Sequence, residues 1–132
     1  MTSYIENETD VRFDFPIKEI ADDVIKQILD TENCPYEVQV NILITDNKGI
    51  RQYNADFRGI DKETDVLSFP NVDYEFPSDF EGLEDAMADY FDPETDELIL
   101  GDIILSADRI KEQASEYGHS QKREYAFLIA HS

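Results

Sequence analysis

The sequence predicts an α+β protein: a mixed sheet of about four strands with helices packed on it. Three observations lead there. Residues 4–5, 38–44, 66–69 and 98–105 form short apolar or alternating runs rich in β-branched side chains, and amphipathic stretches with helical spacing lie between and after them. The order is strand, helix, strand, helix, strand, loop, strand, helix, helix. At 132 residues and 41% apolar content, the chain has the size of one domain that can bury a continuous core.

Tyr4 and Ile5 start a short edge strand, closed by the polar turn at residues 7–10. Pro16 suits the first turn of a helix, and Ile17, Ile20, Ala21, Val24, Ile25, Ile28 and Leu29 follow at helical spacing until Asn33 and Pro35 end it. Val38, Val40, Ile42 and Ile44 alternate with Glu37, Gln39, Asn41 and Leu43, which gives the next strand one strongly apolar face and one mixed face. Thr45 or Asp46 caps a second helix, with Ile50, Tyr53 and Phe57 inward and Gly49 weakening the first turn. Arg58 and Gly59 form its exit, glycine being free to take positive φ.

A compact strand follows at residues 66–69, and Pro70 is expected to halt its pairing. Residues 98–105 read as a nearly continuous apolar strand, enclosed in the sheet. Ser106 caps a helix with Ile110, Ala114 and Tyr117 inward, Gly118 closes it, and Ser120 starts the final helix.

The 31 acids against 11 Lys and Arg leave a net charge of -20, which repels polyanions at long range and, taken alone, argues against nucleic-acid binding. The excess is local. Eleven of the acids fall within residues 73–97, where no Lys or Arg occurs, so the rest of the chain carries -9. With Pro77 and Pro93 and a weak helical pattern only at 83–90, the stretch at about 71–97 reads as an acidic insertion in a single domain spanning 1–132.

Cys34 is the single cysteine, so no intrachain disulfide forms and a reducing compartment is expected. The first residues lack the basic start and apolar stretch of a signal peptide, and no apolar run approaches the ~20 residues of a membrane span. These features point to a cytoplasmic protein without a membrane partner.

Few residues carry obvious chemistry. Arg58, at the helix exit, carries a guanidinium that can pair with Asp56 or Asp61 or grip a phosphate bidentately. Lys62 can assist, although a solvated lysine is the plainer reading. Ser68 has no base near it in sequence and makes a poor nucleophile. His131 ends an apolar helix, and one imidazole is not a metal site. His119, across the turn between the last two helices, reads as solvent-facing.

Three segments resemble one family. Asn54-Ala-Asp-Phe-Arg58-Gly-Ile-Asp-Lys-Glu-Thr-Asp-Val-Leu-Ser-Phe-Pro70 looks like the signature of the YbeY-type endoribonucleases, metal-dependent enzymes of ribosomal RNA maturation. Leu100-Gly-Asp-Ile-Ile-Leu-Ser106 resembles the family's second segment, and Glu124-Tyr-Ala-Phe-Leu-Ile-Ala-His-Ser132 the run into its metal motif. The order and spacing agree, and the likeness spans nearly the whole chain apart from the acidic stretch.

The resemblance implies a zinc-hydrolase-like fold, with His131 as the first of three zinc ligands in His-Gly/Ser-x-x-His-x-x-Gly-Tyr-Asp-His. The other two histidines fall four and ten positions further on, outside this sequence, so these residues alone are expected to hold no zinc stably and to be inactive. Zinc would lower the pKa of a bound water to about 7 for attack on a phosphodiester, and the resemblance places Arg58 beside the cleft, where it would neutralise charge that builds in the transition state. Asp65 and Asp102 either orient the histidines from behind or, more plainly, brace turns.

Ribosomal RNA is the implied partner. The acidic stretch is either a solvated loop or a site for a basic ribosomal protein. Without the rest of the motif, Phe127, Leu128 and Ile129 are expected to lack cover.

Two other functions compete. A zinc protease-like hydrolase is disfavoured because Ser132 stands where helical zinc proteases carry a glutamate base. A noncatalytic acidic interaction module would instead bind a basic partner through the loop or a sheet edge.

Overall fold

Alternation along one strand organises the molecule. In the computed structural model, which describes residues 2–31, 37–70 and 97–130, β2 (Val38–Thr45) buries Val38, Val40, Ile42 and Ile44. It lies between β1 (Thr2–Asn7) and β4 (Leu98–Ser106), parallel to both, and β3 (Val66–Pro70) runs antiparallel to β4 at the far edge. The strand order is β1-β2-β4-β3, a mixed sheet of four strands, in agreement with the predicted α+β class.

Helices α1 (Ile17–Thr31), α3 (Ala107–Tyr117) and α4 (Gln121–Ala130) cover the first face of the sheet. Ala21 and Ile25, Ala107 and Ile110, and Tyr125, Leu128 and Ile129 join the β2 side chains in one core. Each large apolar side chain buried there contributes about 1.5–3 kcal/mol. On the second face α2 (Asn47–Arg58) packs Ile50 onto Leu67 and Ile104.

The two faces are separated by strand parity. Ile42 and Ile44 point to the first, and Leu43 between them to the second. In β4 a bulge changes that parity: Gln39 pairs with Ile99 but Val40 with Gly101, which leaves Leu100 unmatched. Gly101 has a φ of 141°, a conformation that side-chain-bearing residues rarely adopt. Leu98 and Leu100 therefore share the first face with Ile103 and Leu105, and Asp102 falls on the second.

The predicted termini hold. Asp46, not Thr45, caps α2, its Oδ1 accepting from the Gly49 N–H at 2.7 Å. Ser106 Oγ accepts from the Arg109 N–H at 3.3 Å, and Ser120 Oγ from the Arg123 N–H at 3.1 Å. Gly59 and Gly118 take left-handed conformations, φ 69° and 68°, and close α2 and α3. Asn7 closes β1, its Oδ1 accepting from the Thr9 N–H at 3.0 Å.

Several expectations need correction. Phe57 and Tyr117 are 67% and 64% exposed, because the last turns of α2 and α3 extend past the surfaces that bury Ile50 and Ile110. Pro70 does not halt pairing; it stays in register with Gly101, and β3 is an edge strand, where a missing N–H is tolerated. Gly49 does more than weaken a turn, since a Cβ there would stand 2.0 Å from Thr45 Oγ1. Leu128 and Ile129 are buried within the first core, and of that trio Phe127 alone is exposed.

His119 is half-buried rather than solvent-facing: its Nε2 lies 2.6 Å from Oε2 of the buried Glu124 and joins the α3–α4 turn to α4. Cys34, His131 and residues 71–96 of the acidic stretch lie outside the described residues. Glu97, at the end of that stretch, is buried and accepts from Thr2 Oγ1 at 2.6 Å, so it belongs to the fold rather than to a solvated loop. No described helix is long and apolar enough to cross a membrane.

Candidate functional site

Arg58 is the last residue of α2, and the local fold leaves its charge available. Gly59 turns the chain left-handed directly after it, with the Gly59 N–H donating to Ala55 O at 3.0 Å and the Ile60 N–H to Asn54 O at 3.3 Å. The buried Asn54 ties the exit loop down, its Nδ2 donating to Lys62 O at 3.1 Å, and its Oδ1 accepts from Arg58 Nη1 at 3.5 Å.

The two acids expected to compete for Arg58 are engaged elsewhere. Asp61 accepts from Arg51 Nε at 2.7 Å and Nη2 at 3.2 Å, which holds its carboxyl below the usual range, and Asp56 accepts from Gln52 Nε2 at 2.8 Å. Among the described residues Arg58 makes no ion pair. An exposed guanidinium tethered by one amide can meet an incoming phosphate without first breaking a salt bridge.

Lys62 lines a separate hollow of about 350 Å³ with Arg51, Arg109, Asp61 and Glu63. Cations and carboxylates alternate there, as in the 3.7 Å approach of Arg109 Nη2 to Glu63, so the hollow is close to neutral. Ser68 is exposed and has the parity of Val66, which puts it on the first face, away from α2.

Asp65 braces the start of α3: its carbonyl accepts from the Ser106 N–H at 3.0 Å and its Oδ2 from Gln113 Nε2 at 3.5 Å. Asp102 does not brace a turn. It is exposed in mid-strand, capping and bracing nothing, because the bulge at Gly101 turns it outward.

Beside α2 the second face holds a groove of about 950 Å³ whose lining includes Tyr4, Asn41, Tyr53, Phe57, Phe69 and Asp102. Burial, followed by the nearby Glu8 carboxylate, pushes the Tyr53 hydroxyl pKa up and keeps it protonated. This groove is the feature that reading the sequence missed. Its signal was the isolated Gly101 inside an apolar strand, which marks a bulge and a change of parity.

Among the described residues no three His, Cys, Asp or Glu side chains converge to hold a metal. His119 is taken by Glu124. The described residues by themselves do not make up a zinc site, and His131, the expected ligand, lies outside them. Arg58 sits on the helix of the second face, whereas the helix that leads to His131 packs on the first.

Known proteins share the sequence pattern and the fold of this chain. The family model described as Endoribonuclease YbeY matches residues 4–132. An endoribonuclease YbeY of Agathobacter rectalis is 52% identical over 132 residues, covering 100% of this chain and 80% of that protein. One from Clostridium botulinum is 41% identical over 138 residues, covering 98% of this chain and 79% of its own. The solution structure of TM1509 from Thermotoga maritima shares the fold, with a TM-score of 0.59 at 21% identity, over 98% of this chain and 67% of that one. With its signature segments in order around Arg58 and the match running almost from end to end, the chain belongs to the Endoribonuclease YbeY family.

Proposed function

We propose that this protein is a metal-dependent endoribonuclease of ribosomal RNA maturation, working in the cytoplasm, in which Arg58 grips the phosphate to be cleaved. The observation that carries the reading is a tethered guanidinium, without an ion pair among the described residues, near the start of the first segment that carries the family likeness. Its fork matches two phosphate oxygens and offsets the negative charge that builds on them as the phosphodiester is attacked. Asn54 is a positioning residue: it holds the loop through Lys62 O and steers the Arg58 side chain.

Zinc belongs to the proposal through His131, the one residue of this sequence proposed to bind it, together with the two histidines that the family motif places further on. When bound, zinc supplies a water of lowered pKa. The remaining contributions come from the chain: binding, orientation and charge compensation at phosphate.

The test is cleavage of a ribosomal RNA fragment by the natural full-length protein. Arg58→Ala is expected to lower the rate about 10²-fold or more, the usual loss on removing one transition-state donor. Arg58→Lys keeps the charge without the fork and should fall in between. His131→Ala is expected to abolish cleavage, and full activity in both alanine variants would overturn the assignment.

A further inference from the structure

Tyr4 is the cross-strand partner of Asn41, Asn41 of Asp102, and Asp102 of Phe69. These four residues form one row across the whole sheet on its second face. The neighbouring row contains Leu43, Ile104 and Leu67, which α2 covers through Ile50 and Tyr53. The first row is left open and floors the groove of about 950 Å³, with Phe57 as a wall.

Phe57 is 67% exposed, lies edge-on to Phe69 at 5.5 Å and stacks against Tyr53 at 6.4 Å. Asn41 and Asp102 make no side-chain hydrogen bond among the described residues. A single exposed aromatic is ordinary. Here, aromatic faces adjoin an amide and a carboxylate that are unpaired among the described residues, a surface suited to a ligand with flat apolar faces and polar edges.

A nucleobase has that form. Its faces stack on aromatic rings, and its edge carries N–H donors for a carboxylate, which only accepts, and donors and acceptors for an amide, which does both. The charge pattern agrees. Glu6 and Asp102 line the groove and repel a phosphate from it, Lys18 on the same lining is paired with Asp22 at 3.0 Å, and Arg58, next in sequence to Phe57, makes no ion pair among the described residues. Neighbouring strands lie about 4.8 Å apart, so Tyr4 and Phe69 are separated by roughly 14 Å, enough for two splayed bases.

We propose that this groove is a nucleobase-binding site. One base stacks on Phe57 and Phe69 with its edge on Asp102 and Asn41, a second rests on Tyr4, and the backbone stays at the rim near Arg58. The inference rests on the endoribonuclease reading for the nature of the ligand.

The experiment measures binding of a short RNA, and of the same RNA carrying abasic positions, to the full chain at fixed salt by fluorescence anisotropy. Wild type is expected to prefer the intact RNA by about fivefold or more, and Phe57→Leu, which keeps apolar cover but no ring, to lose a similar factor with an unchanged melting temperature. Equal binding of the two RNAs by wild type, or undiminished binding by Phe57→Leu, would overturn the nucleobase site while leaving the endoribonuclease reading intact. A dimer in sedimentation that Phe57→Leu dissociates would overturn it as well, by showing that a second copy fills the groove. A wild-type protein that neither binds nor cleaves either RNA removes the endoribonuclease reading, and this site with it.

Discussion

Alanine ordinarily favours a helix over glycine by about 1 kcal/mol. At Gly49 the sign reverses, because a Cβ would stand 2.0 Å from Oγ1 of the buried Thr45. Gly49→Ala is expected to lower stability by about 1–3 kcal/mol, and adding Thr45→Ala should recover part of the loss. Urea denaturation of the four proteins in that cycle tests this, and simple additivity would rule out the clash. Tyr125 sets an alkaline limit. Its hydroxyl donates to Ile17 O at 2.8 Å, and burial pushes its pKa well above the usual 10.0. The folded state holds this proton more tightly than the unfolded state, so the contribution is fully present below about pH 10 and is lost as pH rises toward the folded value. Tyr125→Phe is expected to cost about 1 kcal/mol at neutral pH and to flatten the fall of melting temperature above pH 10. Arg58 and Gly59 could be found in the sequence because a helix exit has a chemical signature. The exposure of Phe57 could not, since periodicity tells which side of a helix a residue shares and not how far the sheet beneath it extends.

At the scale of elements, β2 and β4 end side by side, Thr45 paired with Ser106, and each runs directly into a helix. The two helix starts are tied together: the Asn47 N–H donates to Asp108 Oδ2 at 2.9 Å, and Ser106 Oγ donates to Asn47 Oδ1 at 2.8 Å. Each start thus satisfies a polar group of the other. Ser106→Ala removes the α3 cap and one of the two bonds of this tie and is expected to cost about 1–3 kcal/mol, measured by thermal or urea denaturation. A loss no larger than a few tenths would show the tie to be idle. The caps were legible as Asp46 and Ser106, whereas their joining was not, because it depends on two strands distant in sequence becoming neighbours. The bulge at Gly101 is similar. Glycine in an apolar strand signals it, but the outward turn of Asp102 follows only once β2 supplies the register.

For the whole molecule, a net charge of -20 opposes both compaction and approach to RNA. Salt should relieve both. Raising ionic strength shortens the Debye length from about 10 Å at 0.1 M toward 3 Å at 1 M, which weakens the self-repulsion of the chain and its long-range repulsion of RNA. The melting temperature is expected to rise with NaCl, as scanning calorimetry would show. A melting temperature that falls with salt would mean that ion pairs such as Arg51–Asp61 outweigh the repulsion. By itself the sequence determined the types and order of the strands and helices, their caps, the apolar side of β2 and the place of Arg58 at a helix exit, because these depend on spacing and chemistry within a few residues. Only the tertiary structure decided that Asp56 and Asp61 are occupied by other partners, that His119 is held by Glu124, and that Tyr4, Asn41, Asp102 and Phe69 stand in one row. Each of those outcomes depends on strand register and helix placement, which bring together residues that no local pattern connects.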